Sequence, residues 1–170
     1  MLTNEIIITA LQDKFPASIL HTEESYGMIS IEVVPSDIAF VIEYLKNTPP
    51  FNFGFLTDVC GIHYPDTIGK EIGVIYHLHN LMDNSRIRIK AFMPAANPSI
   101  PTVSHLFSSA NWQERETYDF FGVQFQGHPN LKRILNVDHM DYFPMLKHYP
   151  LEDDTRTDKD DTFFGRDTTI

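Results

Sequence analysis

Within Arg86–Met93, RIRIKAFM, the first six residues alternate: Arg86, Arg88 and Lys90 interleave with Ile87, Ile89 and Ala91. Side chains in a β-strand point to opposite faces in turn, so this run has one wet face and one apolar face. Met28–Val34 repeats the pattern, with Ile29, Ile31 and Val33 set against Ser30 and Glu32. A half-wet sheet needs a partner layer on its apolar side alone, and that narrows the possible folds sharply.

The partner layer is legible around these strands. Residues near 3–14 read as a helix, with Ile7, Leu11 and Phe15 along one side and Pro16 as its stop. Ile19–His21 reads as a strand, and Glu23–Gly27 as the turn into Met28–Val34. Pro35-Ser36-Asp37 opens a second helix, with Ser36 as its N-cap and Ile38, Val41, Ile42 and Leu45 as its buried stripe. Phe53–His63 and Ile72–His79 read as further strands, and Asp83-Asn84-Ser85 as a hairpin turn. Pro94–Pro101 reads as loop and Thr102–Phe107 as a short helix. Trp112–Phe121 reads as a helix with Asn111 as N-cap and Glu114 completing a capping box, ended by Gly122 in a left-handed conformation. The order gives an α+β fold: a largely antiparallel sheet with helices packed on it, plus an extended C-terminal tail. The expected division is an α+β domain over 1–127 and an extended partner-binding tail over 128–170.

The tail follows from composition. Pro129, Pro144 and Pro150 interrupt regular structure, and residues 152–161, EDDTRTDKDD, are almost without apolar groups. Between them Leu131, Ile134, Leu135, Val137, Phe143, Met145, Leu146, Tyr149 and Leu151 follow no clear period. An extended chain with this many apolar side chains requires a surface to lie on, and another protein is the expected surface.

Charge and ligand chemistry exclude several functions. A net charge of −10 opposes nucleic-acid binding, which needs a basic patch, and opposes adsorption to anionic lipid. Cys60 is the single cysteine, so no internal disulfide and no CxxC cluster ligation is possible; a reducing, intracellular compartment fits. No stretch reaches membrane-span length and the N-terminus has no signal-peptide pattern. His77 and His79 share a strand face and would ligate zinc only if a third donor converged, the basis of a remote reading as a stand-alone metal-binding hydrolase. The aspartates of 153–161 lack the spacing of a calcium loop, and Cys60 between apolar neighbours reads as a strand thiol rather than a nucleophile.

The densest chemistry lies in Asn111–Leu135. Glu114, Arg115, Glu116 and Asp119 stand among Trp112, Tyr118, Phe120, Phe121 and Phe125. Charges embedded in such an aromatic patch need partners, within the fold or across an interface, because burying one alone is costly. Arg115 and Asp119, four apart, are the expected helical pair. His128 and Arg133 stand close enough in sequence to join the cluster. Glu114 and Glu116 point to different sides of the helix and form no acid–base dyad.

The run ERETYDFFGVQFQGHPNLKRIL resembles the signature of the 30-kilodalton-type, or C-subunit, family of NADH–quinone oxidoreductase (respiratory complex I). Glu114, Arg115, Glu116, Asp119, Gly122, Gly127, His128, Pro129, Leu131, Arg133, Ile134 and Leu135 match it. Ser108–Trp112 resembles the approach to that motif, and Leu56-Thr57-Asp58 through His63-Tyr64-Pro65 the central strand. Residues 142–151, YFPMLKHYPL, depart from the family's pattern: Pro144, Lys147, Tyr149, Pro150 and Leu151 keep it, whereas Tyr142, Phe143, Leu146 and His148 do not. The resemblance implies a structural and assembly subunit of a peripheral arm, with no catalytic, metal or cofactor-binding residue and no cofactor on this chain. It implies docking on the large quinone-site subunit (the D subunit) and on other peripheral-arm subunits. The membrane contact would then be indirect, on the cytoplasmic face in a bacterium or the matrix side in a eukaryote. Glu114, Arg115, Glu116, Asp119, Gly122, His128, Pro129 and Arg133 become the interface and structural signature. The equivalent subunit of a related membrane-bound hydrogenase or other quinone-reducing dehydrogenase is the alternative.

Overall fold

The computed structural model describes residues 3–149. Its elements run α1 (Asn4–Lys14), β1 (Ile19–Ser25), β2 (Met28–Val33), a 3-10 turn (Pro35–Asp37), α2 (Ile38–Asn47), β3 (Phe55–His63), β4 (Ile72–Asn80), β5 (Ser85–Met93), β6 (Ser99–Pro101), α3 (Ala110–Phe121) and β7 (Gln124–Gln126). Five strands form one sheet in the order β1-β2-β5-β4-β3. Three of the four junctions are antiparallel; the second, β2 against β5, is parallel, with Ile29 opposite Ile87 and Ile31 opposite Ile89. The α+β reading, mostly antiparallel with helices on the sheet, holds.

The alternation does what it predicts. Ile29, Ile31, Val33, Val59, Val74, Tyr76, Leu78, Ile87 and Ile89 share one face and one core with Ile7 and Leu11 of α1, the α2 stripe, and Ala110 of α3. Ser30, Arg88, Lys90 and His77 face the other way, where no helix covers them among the described residues.

Several boundaries differ from the sequence reading. β1 continues to Ser25, because a two-residue turn at Tyr26 (φ 53°) and Gly27 (φ 75°) supplies the twist that joins hairpin strands directly. Asp37 rather than Ser36 precedes α2, since Pro35–Asp37 forms its own tight turn; Ser36 instead donates to Asp37 Oδ1 at 3.1 Å. Thr102–Phe107 forms turns, not a helix. The last residues of the expected loop, Ser99–Pro101, pair in parallel with Gln124–Gln126. α3 starts at Ala110 with Ser109 as N-cap and no side-chain cap bond, so the Asn111–Glu114 capping box is not formed. The earlier start moves Glu114 a full turn into the helix, out of reach of the first free amides.

α3 lies along the edge strand β3 in a matched register. Gln113 Nε2 donates to Thr57 O at 3.3 Å, Thr117 Oγ1 donates to Val59 O at 3.4 Å, and Phe121 lies on Gly61. Four helical residues rise about 6 Å and two strand residues about 6.6–6.8 Å, so steps of four on α3 keep pace with steps of two on β3. A Cβ at Gly61 would come within 2.3 Å of the Phe121 ring, so only glycine lets the helix approach this closely. α3 thereby satisfies edge carbonyls that would otherwise be open to another strand.

Candidate functional site

α3 carries the charged signature, and its outcome is decided by which way each residue faces. Glu114 and Asp119 are wholly buried, Arg115 is half-buried, and Glu116 is exposed. The two buried carboxyls have opposite surroundings.

Asp119 sits at the centre of a cage. Its Oδ2 accepts from the successive amides of Ile134 (3.0 Å), Leu135 (2.8 Å) and Asn136 (3.0 Å). Its Oδ1 accepts from Arg133 Nη1 at 2.8 Å and from Asn136 Nδ2 at 3.0 Å. Burial alone would raise this carboxyl's pKa, but the hydrogen bonds from Asn136, Leu135, Arg133 and Ile134 together outweigh it and hold it well below the usual carboxylate range. Asp119 is therefore a fixed anion. The expected Arg115–Asp119 pair is replaced by Asp119–Arg133, which neutralises the charge inside the cage.

Both arginines tie down backbone instead of meeting other carboxylates. Arg133 Nη1 also donates to Asp119 O at 2.9 Å, and its Nη2 donates to Met140 O (2.9 Å) and Tyr142 O (2.8 Å). Its guanidinium lies 5.0 Å from the centre of the Phe143 ring. Arg115 Nε donates to Lys132 O at 3.1 Å and its Nη2 to Arg133 O at 3.3 Å, while it stacks on Trp112. Residues without helix or strand thus receive fixed positions from charged side chains that satisfy their carbonyls and amides.

Glu114 has no cation. It accepts from Thr102 Oγ1 in a short contact and from Val103 N at 2.7 Å. Burial raises its pKa to about 7 despite these two bonds, so it holds a proton over much of the acidic range. His128 Nε2 lies 4.0 Å from Glu114 Oε2, but it is no ion-pair partner. Asn130 N donates to His128 Nδ1 at 3.1 Å, so the ring proton sits on Nε2, which donates to Asn111 O at 3.1 Å. Burial and the nearby Arg115 charge lower the His128 pKa, in keeping with a neutral ring.

Gly122 ends α3 at φ +80° and its amide bonds Tyr118 O at 2.9 Å. It also leaves room for Phe143, which a Cβ would meet at 2.6 Å. Phe143 packs edge-on against Tyr118, Met145 N donates to Phe120 O at 3.2 Å, and Lys147 N donates to His63 Nδ1 at 2.9 Å. The described part of the segment after 127 is thus strapped along α3 to the end of β3. Pro129 is exposed in the turn that begins this strap. Leu151 and the acidic run 152–161 lie outside the described residues.

Sequence reasoning selected Asp119 and Arg133 but missed Thr102, Asn136 and Phe143, whose roles depend on contacts made far along the chain. His77 and His79 do share a strand face, but they separate in partners: His79 Nε2 meets Asn84 Oδ1 at 2.9 Å, and His77 Nε2 accepts from Arg88 Nε at 3.1 Å. Every signature charge except Glu116 is engaged within the chain among the described residues. The exposed products of that arrangement are apolar: Leu135 (63%), Val137 (53%) and Met145 (52%) stand out from the strapped segment, joined by Tyr142 and Tyr149.

A family model described as respiratory-chain NADH dehydrogenase, 30 Kd subunit, matches residues 31–155. The chain is 39% identical over 150 residues to the NADH-quinone oxidoreductase C subunit of Geobacter metallireducens, covering 88% of this chain and 91% of that protein. It is 37% identical over 145 residues to the corresponding C 2 subunit of Rhizobium meliloti, covering 85% and 78%. Among solved structures, the trypsin-resistant fragment (1-134) of Nqo5 superposes with a TM-score of 0.64 at 30% identity, over 75% of this chain and 98% of the fragment. A chain of the membrane-bound sulfane sulfur reductase, an archaeal respiratory membrane complex, shares the fold with a TM-score of 0.70 at 21% identity, over 86% and 85%.

Proposed function

This chain belongs to the 30 Kd subunit family of respiratory-chain NADH dehydrogenase, and from that premise we propose that it is a non-catalytic assembly subunit of the peripheral arm, docking through its strapped segment on the large quinone-site subunit. The observation that carries the reading is the exposed apolar row at Leu135, Val137 and Met145 on a segment held rigid by Asp119, Arg133 and Arg115. Exposed apolar side chains on a fixed backbone favour association, because little conformational freedom remains to be lost on binding. The buried charges serve to build that surface. Among the described residues no helix is long and apolar enough to cross a membrane, so membrane attachment would run through the other subunits. The archaeal complex shares the fold, so architecture alone does not separate the two kinds of complex; the identities to NADH-quinone oxidoreductase subunits favour this one.

The test is the double variant Leu135→Glu/Val137→Glu in the native organism, with a tag on the chain and purification from its membranes. Both side chains are largely exposed, so the melting temperature of the variant chain should match wild type. The amount of NADH-oxidising, quinone-reducing complex that co-purifies should fall several-fold, while turnover per assembled complex is unchanged. Full assembly would remove the docking surface from this segment, and slow turnover in fully assembled complex would contradict the non-catalytic role.

A further inference from the structure

We infer that Asp58, Cys60 and His77, on the sheet face opposite the helices, form a binding site for a single zinc ion with water as the fourth ligand. Asp58 and Cys60 are alternate residues of β3, and Asp58 stands opposite His77 of β4 while Cys60 stands opposite Ile75, so all three side chains converge on one spot of that face. Their donor atoms lie within 4.8 Å of one another. Tetrahedral zinc with one sulfur, one nitrogen and one oxygen ligand places donors roughly 3.3–3.6 Å apart, so side-chain rotation of about 1 Å closes the set. The donor types are those zinc prefers, and Asp58 is exposed, leaving the fourth position open to solvent.

One donor is unserved without an ion, and the Cys60 thiol is partnered only by Asp58, its fellow ligand. His77 Nδ1 is buried and has no hydrogen-bond partner among the described residues. Burial and the Asp58 carboxylate keep the Cys60 thiol protonated; a divalent cation would reverse both effects and release the thiol proton. Burial, helped by Arg88, keeps the His77 ring neutral, the form that ligates.

Arg88 is the opposing element. Its Nε donates to His77 Nε2, which fixes the ring proton on Nδ1, the nitrogen that must give it up. Zinc on Nδ1 moves that proton to Nε2, so Arg88 must turn away, toward Ser30 Oγ, to which its Nη1 already donates at 3.4 Å. Arg88 therefore competes with the ion. Glutamine at this position would instead offer an oxygen to the Nε2 proton, the supporting contact metal-bound histidines use.

The experiment uses the purified, reduced full chain. Zinc is titrated against a chromophoric chelator, and cobalt is added as a spectroscopic probe. One zinc per chain is expected, with cobalt giving a thiolate charge-transfer band in the near ultraviolet. Cys60→Ser and His77→Ala should each weaken zinc binding by about tenfold or more, His79→Ala should leave it unchanged, and Arg88→Gln should tighten it by about tenfold. A wild-type chain without the cobalt–thiolate band, or one whose affinity equals that of the Cys60→Ser/His77→Ala double variant, would overturn the site. So would weaker binding in Arg88→Gln. The cobalt spectrum of the wild type decides the case even where a variant fails to fold.

Discussion

Glu114→Gln is expected to raise the melting temperature at pH 8 and lower it at pH 4. The folded chain holds Glu114 at a pKa of about 7, against an ordinary 4.5. Between those values the folded state carries a proton that the unfolded state has released. Stability therefore declines as pH climbs from 4.5 toward 7, and the deficit is complete above 7. The difference between about 7 and 4.5, at about 1.4 kcal/mol per pH unit, amounts to about 3 kcal/mol at pH 8. Glutamine carries no charge and escapes that deficit. It keeps one acceptor for Val103 N and presents an amide to Thr102 Oγ1 in place of the other, a loss of about 1 kcal/mol. The net change is a gain of about 2 kcal/mol at pH 8, close to nothing at pH 5, where the wild type has already lost about 0.7 kcal/mol, and a loss of about 1 kcal/mol at pH 4, below the ordinary value. For a chain of 170 residues this corresponds to a rise of about 4–8 °C and a fall of about 2–4 °C. Calorimetric melting of wild type and variant across pH 4–8 reads it out, and the difference between the two cancels the titration of every other group. An offset that stays flat across that range would refute the reasoning, because it would mean that Glu114 titrates alike in the folded and unfolded chain.

Asp119→Asn should cost about 3–5 kcal/mol at pH 7, since the amide strands Arg133 and turns a donor toward three backbone amides. The folded pKa is depressed, so the wild-type advantage is complete above the ordinary 3.8 and fades only as pH falls below it; urea midpoints at pH 7 and pH 5 should show the same gap. A gap that shrinks markedly between those two values would contradict the cage. Gly122→Ala should destabilise by about 1 kcal/mol from its left-handed backbone plus the displacement of Phe143, and the second part should vanish in a Phe143→Ala background. Strictly additive effects in that double-mutant cycle would show that the ring does not rest on Gly122.

The sheet was legible because its two most informative strands alternate through most of their length, and few structures besides a half-buried strand produce a period of two. The C-terminal stop of α3 was legible too, since Gly122 adopts the left-handed conformation that glycine permits most readily. The partner of Asp119 was not. Helical spacing offers Arg115, four residues away, but Arg133, 14 residues along, wins because it arrives together with three free amides. Helix pairing rules see only neighbours on the same cylinder. β6 and β7 escaped because three-residue strands are too short to display a period. Glu114 was recognised as important and given the wrong role, because its spacing matched a capping box whereas burial assigned it to the turn at Thr102 and Val103. The residues alone led to a surface for association, and the signature over 114–135 supplied the family.

The parallel pairing of β2 with β5 also governs how the chain acquires its shape during synthesis. β1 and β2 zip across a two-residue turn as soon as they leave the ribosome, but the strand that covers the other edge of β2 is complete only at Met93. Ser30 and Arg88, neighbours in the finished sheet, are 58 residues apart in the chain. Until that distance has been translated, β2 offers an unpaired edge to any other extended strand in the cell, and closing so long a loop is intrinsically slow. The interval between residues 33 and 93 is consequently a period in which the nascent chain is open to mispairing, and a stage at which a chaperone would help.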